Sequence, residues 1–474
     1  MLLVVPHQPA SAEILKGSSG ITQPLGLGYI AAFLERDGAK VAILDNSIEE
    51  LGPAEFKRKV LTLRPFIVGI SVTSSSHNTA MELARLVKEA DGSIFVAAGG
   101  SHASALPLKI LENPDVDFVV RGEGEETSRE LLDAVKKGKD PAAIKGLVFR
   151  AGGKVVETPE RPAIQDIDTL PFPAHHLMRM GRYGLPASRR LTSSPAAALI
   201  TSRGCPYGCY FCSHNSIFKG KVRFRSPKNV LAEIKILHEN FGVGEILFWD
   251  DSFLLDKKRA GDICRLIRES GMKITWSCSS RVDHITDSLA REMRAAGCRL
   301  VSFGVESGSP EIRATLNKGT DLDQIHRAVK TCREHDLLSF CSFMLGSPGE
   351  TEETAARTIA FARELDPDFA ICCIFAPLPG SVFFDRFVLE GKLDVSSIDW
   401  DQYINLFSTA RPVIAAGELS KDRLVELQKI FFRKFYFRPR YIFRRLMKLH
   451  SLQHVMQNLR GLRSIFQLQG RKLR

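Results

Sequence analysis

Short apolar segments alternate with segments of helical length along this chain, in two separate series. In the first series, residues 1–157, the predicted strands are 2–5, 41–44, 67–72, 94–98, 118–120 and 147–149. Predicted helices lie between them, near 25–36, 53–63, 77–91, 103–112 and 124–137. Strand–helix alternation of this kind predicts an α/β fold with a parallel, doubly wound sheet. Because such sheets bind ligands at the carboxyl ends of their strands, the loops there are candidate binding sites.

The second series gives six strand–helix units within residues 198–390. Its predicted strands are 198–201, 245–249, 274–278, 300–304, 339–345 and 369–375. Its predicted helices lie near 227–240, 256–269, 286–296, 321–335 and 351–365. Residues 158–197, irregular and rich in proline, are expected to be a linker between domains. Residues 391–474 form a last, helical and basic region.

Charge and cysteine content bear on the cellular location of the protein. The net charge is +11, yet residues 421–474 alone carry 15 Lys and Arg against Asp422 and Glu426, so the rest is slightly negative. Ten cysteines over 474 residues are not a secreted disulfide framework. The first residues, Met-Leu-Leu-Val-Val-Pro-His, lack a basic flank and are predicted to be a strand rather than a signal peptide. We therefore expect a cytoplasmic, reducing location.

Three cysteines, Cys205, Cys209 and Cys212, lie in the run Arg-Gly-Cys-Pro-Tyr-Gly-Cys-Tyr-Phe-Cys. This CxxxCxxC spacing supplies three thiolates, one fewer than an ordinary four-cysteine cluster. A [4Fe–4S] cube held by three thiolates leaves one iron open to bind a substrate. The alternative is a zinc site or three buried cysteines. Zinc sites usually take four ligands in paired CxxC spacing, and His214 is a poor fourth candidate on so tight a loop.

With Phe211 before its last cysteine, the motif resembles the CxxxCxΦC signature of the radical S-adenosylmethionine (SAM) superfamily, in which Φ is aromatic. The resemblance implies that the three cysteines hold a [4Fe–4S] cluster whose open iron chelates the amino and carboxylate groups of SAM. It also implies that the six strand–helix units form a partial (β/α)6 barrel with the cluster loop after its first strand. An electron from a flavodoxin- or ferredoxin-type donor would then cleave SAM to a 5′-deoxyadenosyl radical.

Polar residues end the later barrel strands, where this superfamily binds SAM. Arg281 is expected to pair with the SAM carboxylate, and the Asp250–Asp251 pair is expected near the SAM amino group. That pair could alternatively cap the next helix. The segment Gly-Ser-Pro-Gly-Glu-Thr, residues 346–351, resembles the adenine-contacting turn of the family, and it can also serve as a helix entry with Ser347 and Thr351 as cap residues. The SAM-binding residues that the resemblance implies are Phe211, Asp250, Asp251, Ser279, Arg281, Glu306 and Gly346.

Small and polar residues also follow the strands of the first series, where small side chains let a bulky ligand approach the backbone. Placed before a radical SAM core, the segments 23–29, 99–102 and 119–125 resemble the cobalamin-binding domain of B12-dependent radical SAM enzymes. The cobalamin contacts that this resemblance implies are Ser71, Thr73, Gly99, Gly100, His102, Gly122 and Glu123.

One motif of some B12 proteins, DxHxxG, is absent from this chain. Its histidine ligates cobalt from below, so we expect cobalamin to bind base-off, without a histidine below the metal. For His102 the alternative is a loop histidine that bonds the backbone.

The combined resemblance implies a cobalamin-dependent radical SAM methyltransferase. Its substrate radical would take a methyl group from methylcobalamin at an unactivated carbon of a small or lipid-like substrate. One alternative is a cyclase with the same cofactors and no methyl transfer, like the anaerobic magnesium-protoporphyrin ester cyclases. The other is a regulator that uses its cluster or cobalamin only for sensing.

The basic tail has apolar residues at helical spacing between 424 and 449. A basic amphipathic helix pair predicts contact with anionic lipid headgroups, which would place the protein at the inner membrane face. The alternative is that the apolar side packs on the barrel while the charges are solvated. Nucleic acid is not an expected partner, because no RNA-binding module is recognisable.

Overall fold

The computed structural model describes residues 1–7, 20–186, 189–404 and 412–447. Its N-terminal sheet has the order β2-β1-β3-β4-β5-β6-β7. The strands are β1 Leu2–Val5, β2 Ala42–Asp45, β3 Ile67–Ser71, β4 Phe95–Gly99, β5 Phe118–Val120, β6 Leu147–Ala151 and β7 Lys154–Glu157. The helices are α1 Leu25–Arg36, α2 Asn46–Glu49, α3 Pro53–Leu63, α4 His77–Ala90, α5 Ser101–Ala105, α6 Pro107–Leu111 and α7 Glu125–Lys137.

The first five strands are parallel, as predicted, but the edge of the sheet differs from the prediction. β6 pairs antiparallel with β5, and β7 pairs antiparallel with β6. The β6–β7 turn is Gly152-Gly153, both at positive φ, which a tight two-residue hairpin turn requires. The sheet is therefore mixed, and residues 154–157, for which no strand was predicted, form the second strand of a hairpin.

A second, wholly parallel sheet has the order β8-β11-β12-β13-β14-β15. Its strands, with a two-stranded ribbon β9–β10, are β8 Ala196–Leu199, β9 Ser202–Arg203, β10 Arg223–Phe224, β11 Glu245–Phe248, β12 Thr275–Ser280, β13 Cys298–Glu306, β14 Leu338–Leu345 and β15 Phe369–Ile374. The remaining helices are α8 Asn215–Phe218, α9 Pro227–Phe241, α10 Lys257–Glu269, α11 Asp287–Ala295, α12 Pro310–Thr315, α13 Leu322–Glu334, α14 Glu352–Leu365, α15 Val382–Leu389, α16 Lys421–Tyr436 and α17 Pro439–Met447. Because β8 and β15 are the two ends of this order, the sheet is a partial (β/α)6 barrel with an open seam.

The main core lies between the barrel strands and their helices. Alternate strand residues such as Trp276, Cys278, Val301 and Phe303 are buried there, because successive side chains of a strand point to opposite faces. The intervening residues therefore face the interior of the barrel, which we call the lumen.

The open edge of β8 is bonded by a side chain of the N-terminal domain. The buried Gln23 amide donates to the Ala196 carbonyl over 3.3 Å and accepts from the Ala198 amide over 2.9 Å. These are the bonds that a neighbouring strand would make, so Gln23 stands in for a missing strand at the edge. The contact ties the start of α1 to the barrel seam.

The segment that precedes β8 enters the barrel instead of crossing freely between domains. Leu185 packs against Ala196 and Leu247, which both face the lumen. At the amino end of β11, the buried Glu245 carboxylate accepts from the backbone amides of Leu191 and Thr192 over 2.7 and 2.8 Å. Leu185 of the predicted linker thus lies inside the barrel, and Leu191 and Thr192 are fixed at its amino end.

The described part of the basic tail packs on the barrel. Leu424, Phe431 and Phe435 of α16 are buried in the main core, and the Gln428 amide donates to the Cys372 carbonyl over 2.7 Å. Ile442 and Phe443 of α17 are exposed, while position 449 lies outside the described residues. No helix in the described ranges is long and apolar enough to span a bilayer. The packing alternative therefore accounts for the apolar side of α16.

Replacing Gln23 with alanine should lower the free energy of unfolding by about 1–3 kcal/mol, because two buried backbone groups of β8 lose their partner. Urea unfolding followed by circular dichroism measures this change. Gln165→Ala is the control, since the exposed Gln165 amide bonds only the nearby Ala163 carbonyl. Equal stabilities of the two variants would contradict the role given to Gln23.

Candidate functional site

The cysteine-bearing loop, residues 204–222, which we call the cluster loop, leaves and returns through the β9–β10 ribbon, so its two ends are held side by side. Gly204 at its start has φ +105°, and a Cβ there would collide with the Lys221 backbone carbonyl at its end. Only glycine fits both the backbone conformation and this close approach. The ribbon and Gly204 therefore close the loop at its base.

Backbone hydrogen bonds fix the middle of this loop to the barrel. The Tyr210 amide donates to the Leu316 carbonyl, and the Tyr210 carbonyl accepts from the Phe383 amide, both over 3.1 Å. The Asn317 side-chain amide donates to the Gly208 carbonyl over 2.8 Å. The loop is thus held at the carboxyl ends of the barrel strands, as predicted.

The three loop cysteines are partly exposed, whereas six of the other seven are buried. Burial raises the pKa of the Cys205 thiol, and burial with the nearby Asp251 raises the pKa of Cys212 to about 11. Thiols with raised pKa values need a bound cation to become thiolates, which a metal supplies. The donor set therefore fits a cluster with three protein ligands.

The spacing of donors bears on the kind of metal centre. Within the described ranges, no three His, Cys, Asp or Glu side chains lie close enough together to surround one metal ion. A [4Fe–4S] cubane does not require its ligands to surround one ion, because each thiolate binds a separate iron. The absence of a single-ion site among the described residues is therefore compatible with a cluster.

Arg281 supports the loop through Tyr207. Its guanidinium lies 3.7 Å from the Tyr207 ring centroid, and the Tyr207 hydroxyl contacts His284 Nε2 over 2.6 Å. The same guanidinium makes two 3.1 Å bonds to Asp283 and one of 2.8 Å to the Lys318 carbonyl. Most donors of Arg281 are thus used within the protein, and its contact with the SAM carboxylate stays a prediction.

The two predicted aspartates point to different places. Asp250 is buried, and its Oδ1 accepts from the amide and hydroxyl of Thr201, both over 3.0 Å, so it braces the end of β8. Its Oδ2 is buried without a partner among the described residues. Asp251 is more exposed and lies 3.1 Å from His214 of the cluster loop. Neither caps α10, whose N-cap is Asp256.

Glu306 ends β13 with φ +66°, a strained backbone conformation for a residue with a side chain. Its carboxylate accepts from Lys318 Nζ over 2.9 Å, and Lys318 lies 5.6 Å from the Phe211 ring centroid. The structure thus brings Glu306, Phe211 and a lysine that the sequence did not single out to one place beside the cluster loop.

The turn that begins at Gly346 is stabilised by a hydrogen bond between two of its own residues. Gly346 has φ +83°, and its amide donates to the buried Glu350 carboxylate over 3.1 Å. Burial raises the pKa of Glu350. The Thr351 side chain caps α14 by accepting from the Thr354 amide over 3.3 Å, which confirms the capping role.

The predicted cobalamin residues lie at the carboxyl ends of three adjacent strands, β3, β4 and β5. Gly100, after β4, has φ +106°, and a Cβ there would press against the Val72 carbonyl at 2.8 Å. Gly122, after β5, has φ +73° with open space around it, so a ligand can approach its backbone. Ser71, Thr73 and Gly99 lie on the same edge and are not buried. Exposed backbone at Gly122 and unburied side chains at Ser71 and Thr73 leave room for a ligand at the strand ends, and the cobalamin contacts stay predictions.

His102 is not at an open loop. It is buried, with Nδ1 3.0 Å from the Ser74 hydroxyl and Nε2 3.1 Å from His77 Nδ1. Its ring also meets Trp400 edge-on at 4.4 Å. Burial lowers the pKa of His102 to about 3 and that of His77 to about 4. Both ring nitrogens are used, so this histidine supports the Ser74–Ser76 turn.

Glu123 joins the two domains. Its carboxylate accepts from Arg203 over 2.6 Å and from Arg223 over 2.7 Å, while Glu125 accepts from Arg203 over 2.6 Å. Arg203 and Arg223 belong to the ribbon that frames the cluster loop. We call these four side chains the interdomain clamp. Burial would raise the pKa of Glu123, but the bonds from Arg223 and Arg203 outweigh it and lower the pKa.

Two residues at the site were not anticipated from the sequence. Lys318 carries no motif and is found only from its contacts with Glu306 and Phe211. Arg189, in the predicted linker, donates to the Ser279 hydroxyl over 3.3 Å inside the barrel. No local pattern marks a linker residue that reaches the lumen.

Comparison with known proteins agrees with these domains. A model described as the radical SAM superfamily matches residues 199–362, and one described as a B12 binding domain matches residues 14–132. An uncharacterized methyltransferase of Pyrococcus horikoshii is 35% identical over 467 residues, which is 98% of either chain. The anaerobic magnesium-protoporphyrin IX monomethyl ester cyclase of Rubrivivax gelatinosus is 28% identical over 439 residues, covering 91% of this chain and 76% of that protein.

A solved structure shares the fold over almost the whole length. It is the cobalamin-dependent S-adenosylmethionine radical enzyme OxsB, with aqua-cobalamin and S-adenosylmethionine bound. The TM-score is 0.72 at 18% identity, covering 98% of this chain and 71% of that one.

Gly204→Ala should abolish cluster incorporation, because its methyl group cannot fit beside the Lys221 carbonyl. Iron and sulfide content after anaerobic reconstitution measures this. Gly242→Ala is the control: Gly242 also has positive φ, +65°, but nothing lies near its added Cβ. It should cost about 1 kcal/mol of stability and retain the cluster. A full cluster in Gly204→Ala would refute the role of this glycine.

Glu123→Gln should lower the free energy of unfolding at pH 7 by about 3–5 kcal/mol, because Arg223 loses its carboxylate partner and Arg203 keeps only Glu125. The lowered pKa of Glu123 means that this stabilisation is present above the unfolded value of 4.5 and is lost as the pH falls through the folded value. The gap between wild type and variant should therefore shrink toward low pH in urea unfolding. Glu160→Gln, which breaks an exposed pair with Lys219, should change stability by about 1 kcal/mol or less at either pH.

Proposed function

This chain belongs to the cobalamin-binding group of the radical SAM superfamily, and we propose that it transfers a methyl group to an unactivated carbon of a small or lipid-like substrate. The observation that carries the proposal is the interdomain clamp. Glu123 follows β5, at the strand ends where cobalamin is predicted, and it bonds both strands of the ribbon that frames the cluster loop. The two cofactor-binding edges are therefore held in a fixed relation.

The cofactors of this group are a [4Fe–4S] cluster, SAM and cobalamin. Once bound, the cluster and SAM supply the radical that removes a hydrogen atom from carbon, and cobalamin supplies the methyl group. We assign the cluster to Cys205, Cys209 and Cys212, and the open strand ends at Ser71, Gly99 and Gly122 to cobalamin. We expect a low-potential flavodoxin- or ferredoxin-type donor and a reducing cytoplasmic location, because the thiols must stay reduced.

The residues of the chain position and enclose the reactants. The loop is oriented by Arg281 and Tyr207, and the lumen is closed on one side by the segment that carries Leu185. Such closure keeps water from a reactive radical. Positioning of this kind is what a protein adds when its cofactors perform the chemistry.

A cyclase with the same cofactors is the second candidate, because one relative carries that name over most of this chain. The more similar relative, at 35% identity, is named a methyltransferase. The two reactions differ in products: methyl transfer consumes a second SAM and releases S-adenosylhomocysteine, whereas a cyclase releases 5′-deoxyadenosine without it.

Anaerobically reconstituted protein with SAM, cobalamin and a strong reductant should form both S-adenosylhomocysteine and 5′-deoxyadenosine, quantified by mass spectrometry. Cys209→Ala should lose 5′-deoxyadenosine formation by at least a hundredfold, since two thiolates do not hold the cluster. Cys264→Ala removes a buried thiol of α10 and should retain the products. Deoxyadenosine alone would favour the cyclase. Neither product from wild type would favour a sensor, and full activity in Cys209→Ala would refute the radical SAM assignment.

A further inference from the structure

The barrel lumen is polar where β12 and β13 line it. Trp276 and Cys278 of β12 belong to the helix-facing core, so Ser277 and Ser279 between and after them face the lumen. By the same alternation, Ser302 of β13 faces the lumen, and it pairs in register with Ser279. Three hydroxyl groups therefore line neighbouring strands at the centre of the barrel.

Arg189 adds a positive charge at this level. One of its terminal nitrogens, Nη1, lies 3.3 Å from the Ser279 hydroxyl. The guanidinium carbon lies 5.9 Å from the Trp249 ring centroid and 5.4 Å from that of Phe340, which is in register with Ser302. The segment that carries Leu185 therefore also places a cation near two aromatic rings.

The charge of Arg189 is not balanced by the protein. Among the residues that the structure describes, no carboxylate lies within ion-pairing distance of its guanidinium, whereas Arg203, Arg223 and Arg281 each have at least one. Burial lowers the pKa of Arg189, in keeping with an environment that disfavours its charge. A partly buried, unpaired guanidinium costs free energy, which a negatively charged ligand would recover.

Two of the lumen hydroxyls also have unused bonding capacity. The side-chain oxygens of Ser277 and Ser302 are buried and have no hydrogen-bond partner among the described residues. A guanidinium and nearby hydroxyls together offer several N–H and O–H donors to one group. This donor set matches the oxygens of a carboxylate or a phosphoryl group.

We propose that Arg189, with Ser279 and Ser302, forms an oxyanion-binding subsite inside the barrel. The ligand group is a carboxylate or phosphoryl oxyanion, and it has two sources: the carboxylate of SAM, or an acidic group of the substrate. The subsite deepens the proposed function and rests on it only for the identity of this ligand.

The first test needs neither cluster nor turnover. Inorganic phosphate, added to the full chain at constant ionic strength, should raise the thermal unfolding midpoint of the wild type in a saturable way. Arg189→Gln should abolish this response, and Arg189→Lys should retain part of it. Arg190→Gln is the matched control, because Arg190 bonds only backbone carbonyls of residues 192–194. It should respond to phosphate as the wild type does.

Stability without phosphate separates a binding role from a structural one. Arg189→Gln removes an unpaired charge, so its unfolding midpoint should equal or exceed that of the wild type. A clearly lower midpoint in this variant, together with a wild-type phosphate response, would overturn the proposal.

The second test distinguishes the two sources, by equilibrium dialysis of SAM and of decarboxylated SAM against cluster-reconstituted protein. If the SAM carboxylate is the ligand, Arg189→Gln should weaken SAM binding about tenfold or more and leave decarboxylated SAM unchanged. If SAM binding is unchanged while the phosphate response is lost, the oxyanion belongs to the substrate. Unchanged phosphate response and unchanged SAM affinity would overturn the subsite. Absence of methyl transfer with a lost phosphate response would count against the proposed function alone.

Discussion

The arrangement of the two domains depends on one buried group of charges, the interdomain clamp. Glu123 comes from the loop after β5 and Glu125 begins α7, while Arg203 and Arg223 come from the ribbon that frames the cluster loop. Buried ion pairs often add little net stability, since desolvation offsets attraction, but a displaced partner leaves an uncompensated charge. The clamp therefore acts mainly on orientation. A shift between the domains would separate these charges, so the strand ends and the cluster loop keep their relation.

The open barrel creates a second requirement, because an unpaired edge strand and an accessible lumen must both be covered. The N-terminal domain covers the unpaired edge strand with Gln23, whose side-chain amide bonds the edge of β8. The segment before β8 helps to cover the lumen, because it places Leu185 and Arg189 inside it. Two parts of the chain outside the barrel thus cover its edge and enter its lumen.

Local patterns were enough to predict much of this structure. The apolar segments located all six barrel strands, the family resemblance placed the cysteine-bearing loop after the first of them, and Thr351 was identified as a cap. The antiparallel pairing of β6 was missed, because strand–helix alternation does not fix the direction of an edge strand. The sequence also could not predict which groups Arg281, His102 and Glu123 bond. Their polar atoms bond Asp283, His77 and Arg203, and these partners are set by the fold rather than by any motif.

Arg281 and Arg189 differ in whether a carboxylate balances their charge, and their positions in the sequence do not reveal this difference. Arg281 stands at a strand end, where a ligand contact is expected, yet Asp283 and two backbone carbonyls occupy its donors. Arg189 stands in an irregular segment without any motif, yet its donors face lumen hydroxyls and no counter-charge in the described part of the chain. A guanidinium that the fold has already neutralised holds the scaffold in place. One that the fold leaves unbalanced can still gain free energy by binding an anion, and in this barrel it lies beside Ser279 in the lumen.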